Sequence, residues 1–213
     1  MPNVPNPDLG GLPAPTDPWC YSSRMLDALQ AAAVMHAAQR RKGDGRVPYL
    51  AHLMAVSSIV LDYGGSEDEA IAALLHDSLE DIRPAGLARP VVAGFGPEVL
   101  AIVEGCTDGE PDETGRKEAW EIRKERYIGH VADATGSVLL VSAADKLHNA
   151  RTTVTDLRAS GPAALDKFKA SRAQTIWYYE ELVKAFTKHP LHNVRLIEEL
   201  ARTVAEMRQL SGV

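Results

Sequence analysis

Apolar positions recur at helical spacing from about residue 22 to the C-terminus. Ser22 to Arg41 reads as one helix, with Met25, Leu26, Leu29, Ala33 and His36 on or near one stripe. Gly43, Asp44 and Gly45 break it. A second helix runs from about Leu50 to Tyr63 and stops at Gly64 and Gly65. Ser66, followed three residues later by Glu69, is a capping box in which each side chain satisfies a backbone N–H at the helix start. The helix it opens continues through Ala70, Leu74 and Leu75 into His76 and Asp77. A short helical piece near 87–93 leads to Phe95 and Gly96, and Pro97 suits the first turn of a helix over about 97–106. Residues 108–116 form a polar loop. Further helices are expected from Lys117 to about Ala134, from Ser137 to Arg158, and over about 162–187 and 191–210. No segment alternates convincingly as a strand; the run Val138 to Val141 continues into Ala143, Ala144 and Leu147 and reads as buried helix. The predicted fold is all-α, a compact helical bundle.

Residues 1–18 depart from this pattern, with prolines at 2, 5, 7, 13, 15 and 18. Proline lacks the donor N–H and fixes φ, so an extended or disordered arm is expected, dispensable for chemistry. Residues 19–213 read as a single domain, long enough to bury a sizeable core. The composition, 45% hydrophobic and 24% charged, is that of an ordinary globular protein. No apolar run approaches the ~20 residues needed to span a bilayer, and no basic stretch followed by an apolar core marks a leader. Cys20 and Cys106 form neither a CxxC pair nor a disulfide framework. A cytoplasmic location with no membrane partner is expected. A net charge of -6 argues against a nucleic-acid partner. Within that acidic chain, Arg40, Arg41, Lys42 and Arg46 form a basic cluster. It is either a solvated helix end favoured by the C-terminal dipole or a contact for a small anionic ligand.

The segment Ala72 to Asp81 carries the chemistry. His76, Asp77, Glu80 and Asp81 follow a strongly apolar stretch. On a continuous helix His76 and Glu80 share one face and Asp77 and Asp81 the adjoining one. Burying several carboxylates without compensation is costly, and a divalent cation removes that cost. A His-Asp pair alone is common and carries little. Two other residues change its weight: His52, in the preceding helix, and Asp145, a carboxylate on an apolar helix far downstream. Two imidazoles and two carboxylates make a mixed nitrogen and oxygen site suited to manganese, iron, cobalt or zinc rather than to a soft-metal thiolate centre. Four protein ligands on a six-coordinate ion leave room for water, whose pKa the cation lowers. His148, three residues after Asp145, is a candidate supporting residue. His36 is read as packed near the site. His130, His189 and His192 are read as surface residues, and Cys106 as buried packing.

The order His52, His76–Asp77, Asp145 resembles the HD-domain metal-dependent phosphohydrolases. More narrowly, the chain resembles the hydrolase domain of the RelA/SpoT family and its stand-alone relatives, the small alarmone hydrolases. The matching stretches are Gln39 to Lys42, Pro48 to His52, Ala73 to Asp81, Phe95 to Val99, Val103 to Thr107 and Ala144 to Thr152. They run in the family's order over roughly residues 25–155.

The resemblance implies a manganese-dependent hydrolase, with one divalent ion per chain, that removes the 3′-pyrophosphate of (p)ppGpp to give GDP or GTP. It implies that His52, His76, Asp77 and Asp145 hold the metal. Glu80 and Asp81 would orient and deprotonate the attacking water or protonate the leaving 3′-oxygen. The substrate set it implies is Arg41, Lys42, Lys146, Asn149, Arg151 and Thr152, with Arg41 on the guanine and Lys42 facing phosphates. These residue types suit a dense anion and a planar base. Asp145, Asn149 and Thr152 recur at i, i+4 and i+7 along one stripe. The chain departs from the family at Leu53, where a proline is usual, and at Gly43 to Val47, which replace a Ser-Gly-Glu stretch. Arg123 and Lys124, on a very polar helix, are read as solvated. Two alternatives stand beside this one: the same chemistry on (p)ppApp or NADPH, and a non-catalytic nucleotide-sensing module. Oligomeric state is left open.

Overall fold

The structure, a computed structural model, describes residues 22–213 except 44, 85, 110–115 and 117. The proline-rich arm at 1–18, Cys20, Lys117 and most of the polar loop lie outside the described residues. The described residues are helical and contain no strand, as the periodicity predicts.

Helix α1, Ser23–Met35, opens on Ser22, whose hydroxyl accepts from the Arg24 N–H. It ends six residues before the expected Arg41, because the next residues make non-local bonds. The Arg41 N–H donates to the Val47 carbonyl and the Tyr49 N–H to the Gln39 carbonyl, so residues 39–41 and 47–49 fold back on each other. A single bridge between Arg40 and Pro48 marks that fold-back. The buried stripe is also rotated from the expected one: Ala28, Ala32 and His36 are buried and Leu26 is exposed.

Helix α2, Leu50–Asp62, buries His52, Leu53, Val56, Ile59 and Val60. Helix α3, Glu67–Leu75, carries the expected Ser66–Glu69 capping box. Every residue from Ala70 to Leu75 is buried, so α3 is enclosed on all sides. It does not continue to Asp81. The chain turns at His76 and Asp77, where Asp77 has φ -90° and ψ -2°, and α4, Ser78–Asp81, restarts beyond it. Helix α5, Ala88–Ala93, and helix α6, Pro97–Cys106, follow at the expected places. Helix α7 covers Trp120–Val131.

Helix α8, Gly136–Ser160, is the central strut. Thr135 caps it and Gly161, at φ +66°, ends it. Its buried residues, among them Val141, Ala144, Leu147 and Ala150, pack against α2, α3 and α6. The expected helix at 162–187 is divided: Gly161–Lys167 is a 3₁₀ segment, and helix α9, Arg172–Lys188, begins at a second capping box, Ser171 with Gln174. Helix α10, Val194–Ser211, starts on Asn193 and packs along α8. The bundle thus brings the start of α2, the end of α3 and the middle of α8 to one place.

Candidate active site

Three elements converge at the head of the cleft. His52, on the first turn of α2, is 1% exposed; His76, at the end of α3, is 3%; Asp145, inside α8, is 6%. His52 Nε2 lies 3.2 Å from Asp145 Oδ1 and 3.6 Å from Asp77 Oδ2. His76 Nε2 lies 3.1 Å from Asp77 Oδ2 and 3.6 Å from Asp145 Oδ1. Yet among the described residues neither Nε2 has a hydrogen-bond partner. A buried polar atom without a partner is rare, and two of them aimed at two carboxylates have the chemistry of a metal-binding donor set.

The other ring nitrogens are occupied. His76 Nδ1 lies 2.8 Å from the Ala73 carbonyl, which can only accept, so Nδ1 carries a proton and Nε2 is the nitrogen turned to the cluster. His52 Nδ1 lies 2.7 Å from His148 Nδ1. Burial, with the charge of Arg41, lowers the His148 imidazole to about 4, so it is neutral and its Nδ1 can accept from His52. Both imidazoles therefore turn Nε2, bare of any hydrogen-bond partner among the described residues, to the same point, where two carboxylates also arrive. His52, His76 and Asp77 offer ligand atoms within 4.8 Å of one another. This donor set fits a divalent cation of the manganese, iron or zinc type.

The electrostatics describe the same need. Burial alone pushes His76 down, but Asp77 and Asp145 outweigh it and hold the imidazole well above its ordinary value. Burial also works against the Asp77 and Asp145 carboxyls. His76 and, for Asp145, the adjacent Lys146 hold both well below the usual carboxylate range. The cluster demands positive charge at its centre.

A cleft of about 550 Å³ opens from this cluster. Glu80 and Asp81 line it beside His76 and Asp77. The Asp108 N–H donates to Glu80 Oε1 at 2.8 Å, and Gln39 Nε2 donates to Asp81 Oδ2 at 2.7 Å. Lys146 Nζ donates to Asp145 Oδ2 at 2.6 Å and Asn149 Nδ2 to Asp145 Oδ1 at 2.5 Å. Arg41, Lys42 and Thr152 line the same cleft. Lys42 Nζ stands 5.5 Å from the centre of the Phe168 ring. Arg151 does not join them: its guanidinium pairs with Glu199 of α10, away from the cleft lining.

The comparisons with known proteins agree with this geometry. The HD domain family matches residues 28–177. The chain belongs to the HD domain family. Membership implies a divalent metal, and His52, His76 and Asp77 form the matching cluster. The Xenopus tropicalis guanosine-3′,5′-bis(diphosphate) 3′-pyrophosphohydrolase MESH1 is 37% identical over 129 residues, 60% of this chain and 68% of that one. Its Drosophila melanogaster counterpart is 35% identical over 143 residues, 66% of this chain and 73% of that one. Among solved structures, a metazoan ortholog of SpoT that hydrolyzes ppGpp superposes with a TM-score of 0.66 at 27% identity. That alignment covers 86% of this chain and 96% of that one.

Several residues of this HD domain acquire roles that their spacing did not suggest. Tyr49 donates its hydroxyl to Asp77 Oδ2 at 2.5 Å. Arg123 and Lys124, expected to be solvated, are 13% and 16% exposed and both pair with Asp108, whose carboxylate is 8% exposed. The reason is tertiary: Asp108 follows α6 and reaches α7 from outside that helix. His189, expected at the surface, is 7% exposed and accepts from the Leu191 N–H. His36 is buried against the site as expected, and its Nδ1 lies 2.6 Å from Gln39 Oε1. Cys106 is buried and its thiol is pushed up by that burial, which fits packing rather than nucleophilic chemistry.

Proposed function

We propose that the chain is a metal-dependent hydrolase that removes the 3′-pyrophosphate of (p)ppGpp, giving GDP or GTP and pyrophosphate. The observation that carries this reading is the pair of bare, buried Nε2 atoms of His52 and His76 facing Asp77 and Asp145 at the head of a cation-lined cleft. The MESH1 relatives bear this activity in their names.

In this reading His52, His76, Asp77 and Asp145 hold one Mn²⁺ per chain. The ion supplies Lewis acidity, lowering the pKa of water and offsetting phosphate charge. Glu80, with one oxygen fixed by the Asp108 N–H, takes a proton from the attacking water. Water oxygen bonds to the phosphorus on the 3′-oxygen as the bond from that phosphorus to the 3′-oxygen breaks. Asp81, steadied by Gln39, directs the water or, entering the step protonated, gives its proton to the departing 3′-oxygen while Glu80 keeps the one taken from water. Arg41 and Lys42 hold the nucleotide at the cleft mouth, and Lys146, Asn149 and Thr152 line the path from metal to substrate. The reading includes a cytoplasmic location and a single domain over residues 19–213.

The test is incubation of the purified protein with ppGpp and Mn²⁺, following pyrophosphate release. Folded, metal-loaded protein that releases none overturns the assignment. Faster turnover of ppApp or NADPH under matched conditions moves the substrate and keeps the chemistry.

A further inference from the structure

We propose that Tyr49 is a positioning residue shared by the two ends of the site, its hydroxyl fixing Asp77 for the metal and its ring seating Arg41 for the nucleotide. This rests on the metal-centre reading above.

The hydroxyl is placed with little freedom. It donates at 2.5 Å to Asp77 Oδ2, the oxygen that lies 3.1 Å from His76 Nε2 and 3.6 Å from His52 Nε2. A carboxylate oxygen has two lone-pair directions. With the tyrosine proton on one, the other is left toward the two bare imidazole nitrogens. A carboxylate oxygen can only accept, so the phenol O–H is the donor of this bond. The remaining donors of the cluster are steadied similarly: His76 by the Ala73 carbonyl, His52 by His148, Asp145 by Asn149 and Lys146. Among the described residues, Tyr49 is the partner of Asp77 that comes from outside the cluster.

The ring is held separately. It stacks on His36 with centroids 5.4 Å apart and 22° between planes, and it meets the His52 ring edge-on at 5.4 Å. Its other contact is the Arg41 guanidinium, 5.7 Å from the ring centroid. Tyr49 is therefore clamped by the buried His36 while it supports both a metal-facing carboxylate and a substrate-facing cation. Its backbone belongs to the fold-back: the Tyr49 N–H donates to the Gln39 carbonyl, which ties the segment that carries Arg41 to the turn that opens α2.

The two roles separate by substitution. Tyr49→Phe removes the hydroxyl and keeps every ring contact. Tyr49→Leu removes both. Loss of an outer partner of a metal ligand typically weakens metal affinity about 10- to 100-fold. For Tyr49→Phe the expected result is a Mn²⁺ affinity lower by about that factor, with KM for ppGpp at saturating Mn²⁺ within about twofold of wild type. Tyr49→Leu should show the same metal defect and an added rise in KM. Metal affinity is read by competition with a chelating dye and by the Mn²⁺-induced rise in Tm over protein in EDTA. Tyr49→Phe with wild-type Mn²⁺ affinity, or Tyr49→Leu with wild-type KM, overturns the proposal. A lower Tm in EDTA with an unchanged Mn²⁺-induced rise marks the hydroxyl as structural only and overturns it too. Wild-type protein that binds Mn²⁺ and turns over no ppGpp removes the hydrolase reading but leaves the metal measurement decisive for Tyr49.

Discussion

Arg41 Nη2 donates to Asn149 Oδ1 at 2.6 Å, joining the loop before α2 to the middle of α8. Asn149 passes the constraint on, donating from Nδ2 to Asp145 Oδ1 at 2.5 Å. The amide is thus oriented by a cation on one side and a metal-facing carboxylate on the other. A charge-assisted bond of this kind is worth about 1.5–3 kcal/mol, or roughly 10- to 100-fold in binding. Arg41→Ala is expected to raise KM for ppGpp by about that factor with kcat within about threefold. Steady-state kinetics at saturating Mn²⁺ check it. A large fall in kcat at unchanged KM contradicts a substrate-holding role.

Asp77 faces both bare imidazole nitrogens, so its loss removes a ligand and leaves the charge of the cluster unbalanced. Asp77→Ala and His76→Ala are expected to lose metal and activity together. Metal content after dialysis, measured beside turnover, decides this. An Asp77→Ala protein that keeps a full equivalent of Mn²⁺ rules out the assigned ligand.

Glu80 offers a cleaner separation of chemistry from metal binding. Glu80→Gln keeps a carbonyl oxygen able to accept from the Asp108 N–H, so the side chain stays in place while its proton affinity goes. General-base loss costs about 10²–10⁴ in rate. We expect kcat to fall within that range with Mn²⁺ content unchanged. Activity within about threefold of wild type assigns the base elsewhere.

Much of this arrangement was legible in the sequence, and the illegible parts share one cause. The helices showed because apolar spacing and caps such as Ser66 with Glu69 are local. His76 and Asp77 stood out because ionisable groups after an apolar run need a reason. The end of α1 did not show, since what stops it is the pairing of Arg41 with Val47 and Tyr49 with Gln39 across a loop. Arg123 and Lys124 looked solvated because a helix's own periodicity says nothing of Asp108 arriving from another element. Tyr49 and Gln39 lie inside matching stretches, but their roles are not written in spacing and are revealed by their partners Asp77 and Asp81. Arg151 lies inside a matching stretch but one helical step off the Asp145–Asn149–Thr152 stripe, and it pairs with Glu199 instead.

Gly105 tests how tightly the two helices behind the site are seated. It lies inside α6, and a Cβ built there would stand 2.5 Å from Val138 Cγ2 of α8. Alanine normally favours a helix over glycine by about 1 kcal/mol. Here overpacking is expected to reverse the sign and cost about 1–3 kcal/mol. Chemical denaturation of Gly105→Ala measures it. A variant more stable than wild type shows that Val138 yields without cost.

Asp108 gives the fold a measurable acid dependence. Burial works against its carboxylate, but Lys124 and Arg123 overcome it and lower the group from 3.8 to about 2. A depressed acid contributes stability that is complete above its unfolded pKa and is lost as pH falls through the folded one. The full contribution is about 2 kcal/mol, and about 1 kcal/mol of it disappears between roughly pH 6 and pH 3. Asp108→Asn lacks this titration. Its stability deficit against wild type should therefore shrink by about 1 kcal/mol over that interval, read from urea midpoints at matched pH. The direction matters more than the size: carboxylates elsewhere titrate in both proteins and cancel, whereas the Asp108 contribution appears in wild type alone. A deficit that stays constant or grows as the solution is acidified shows that the Arg123 and Lys124 pairs do not hold the Asp108 carboxylate in its charged form.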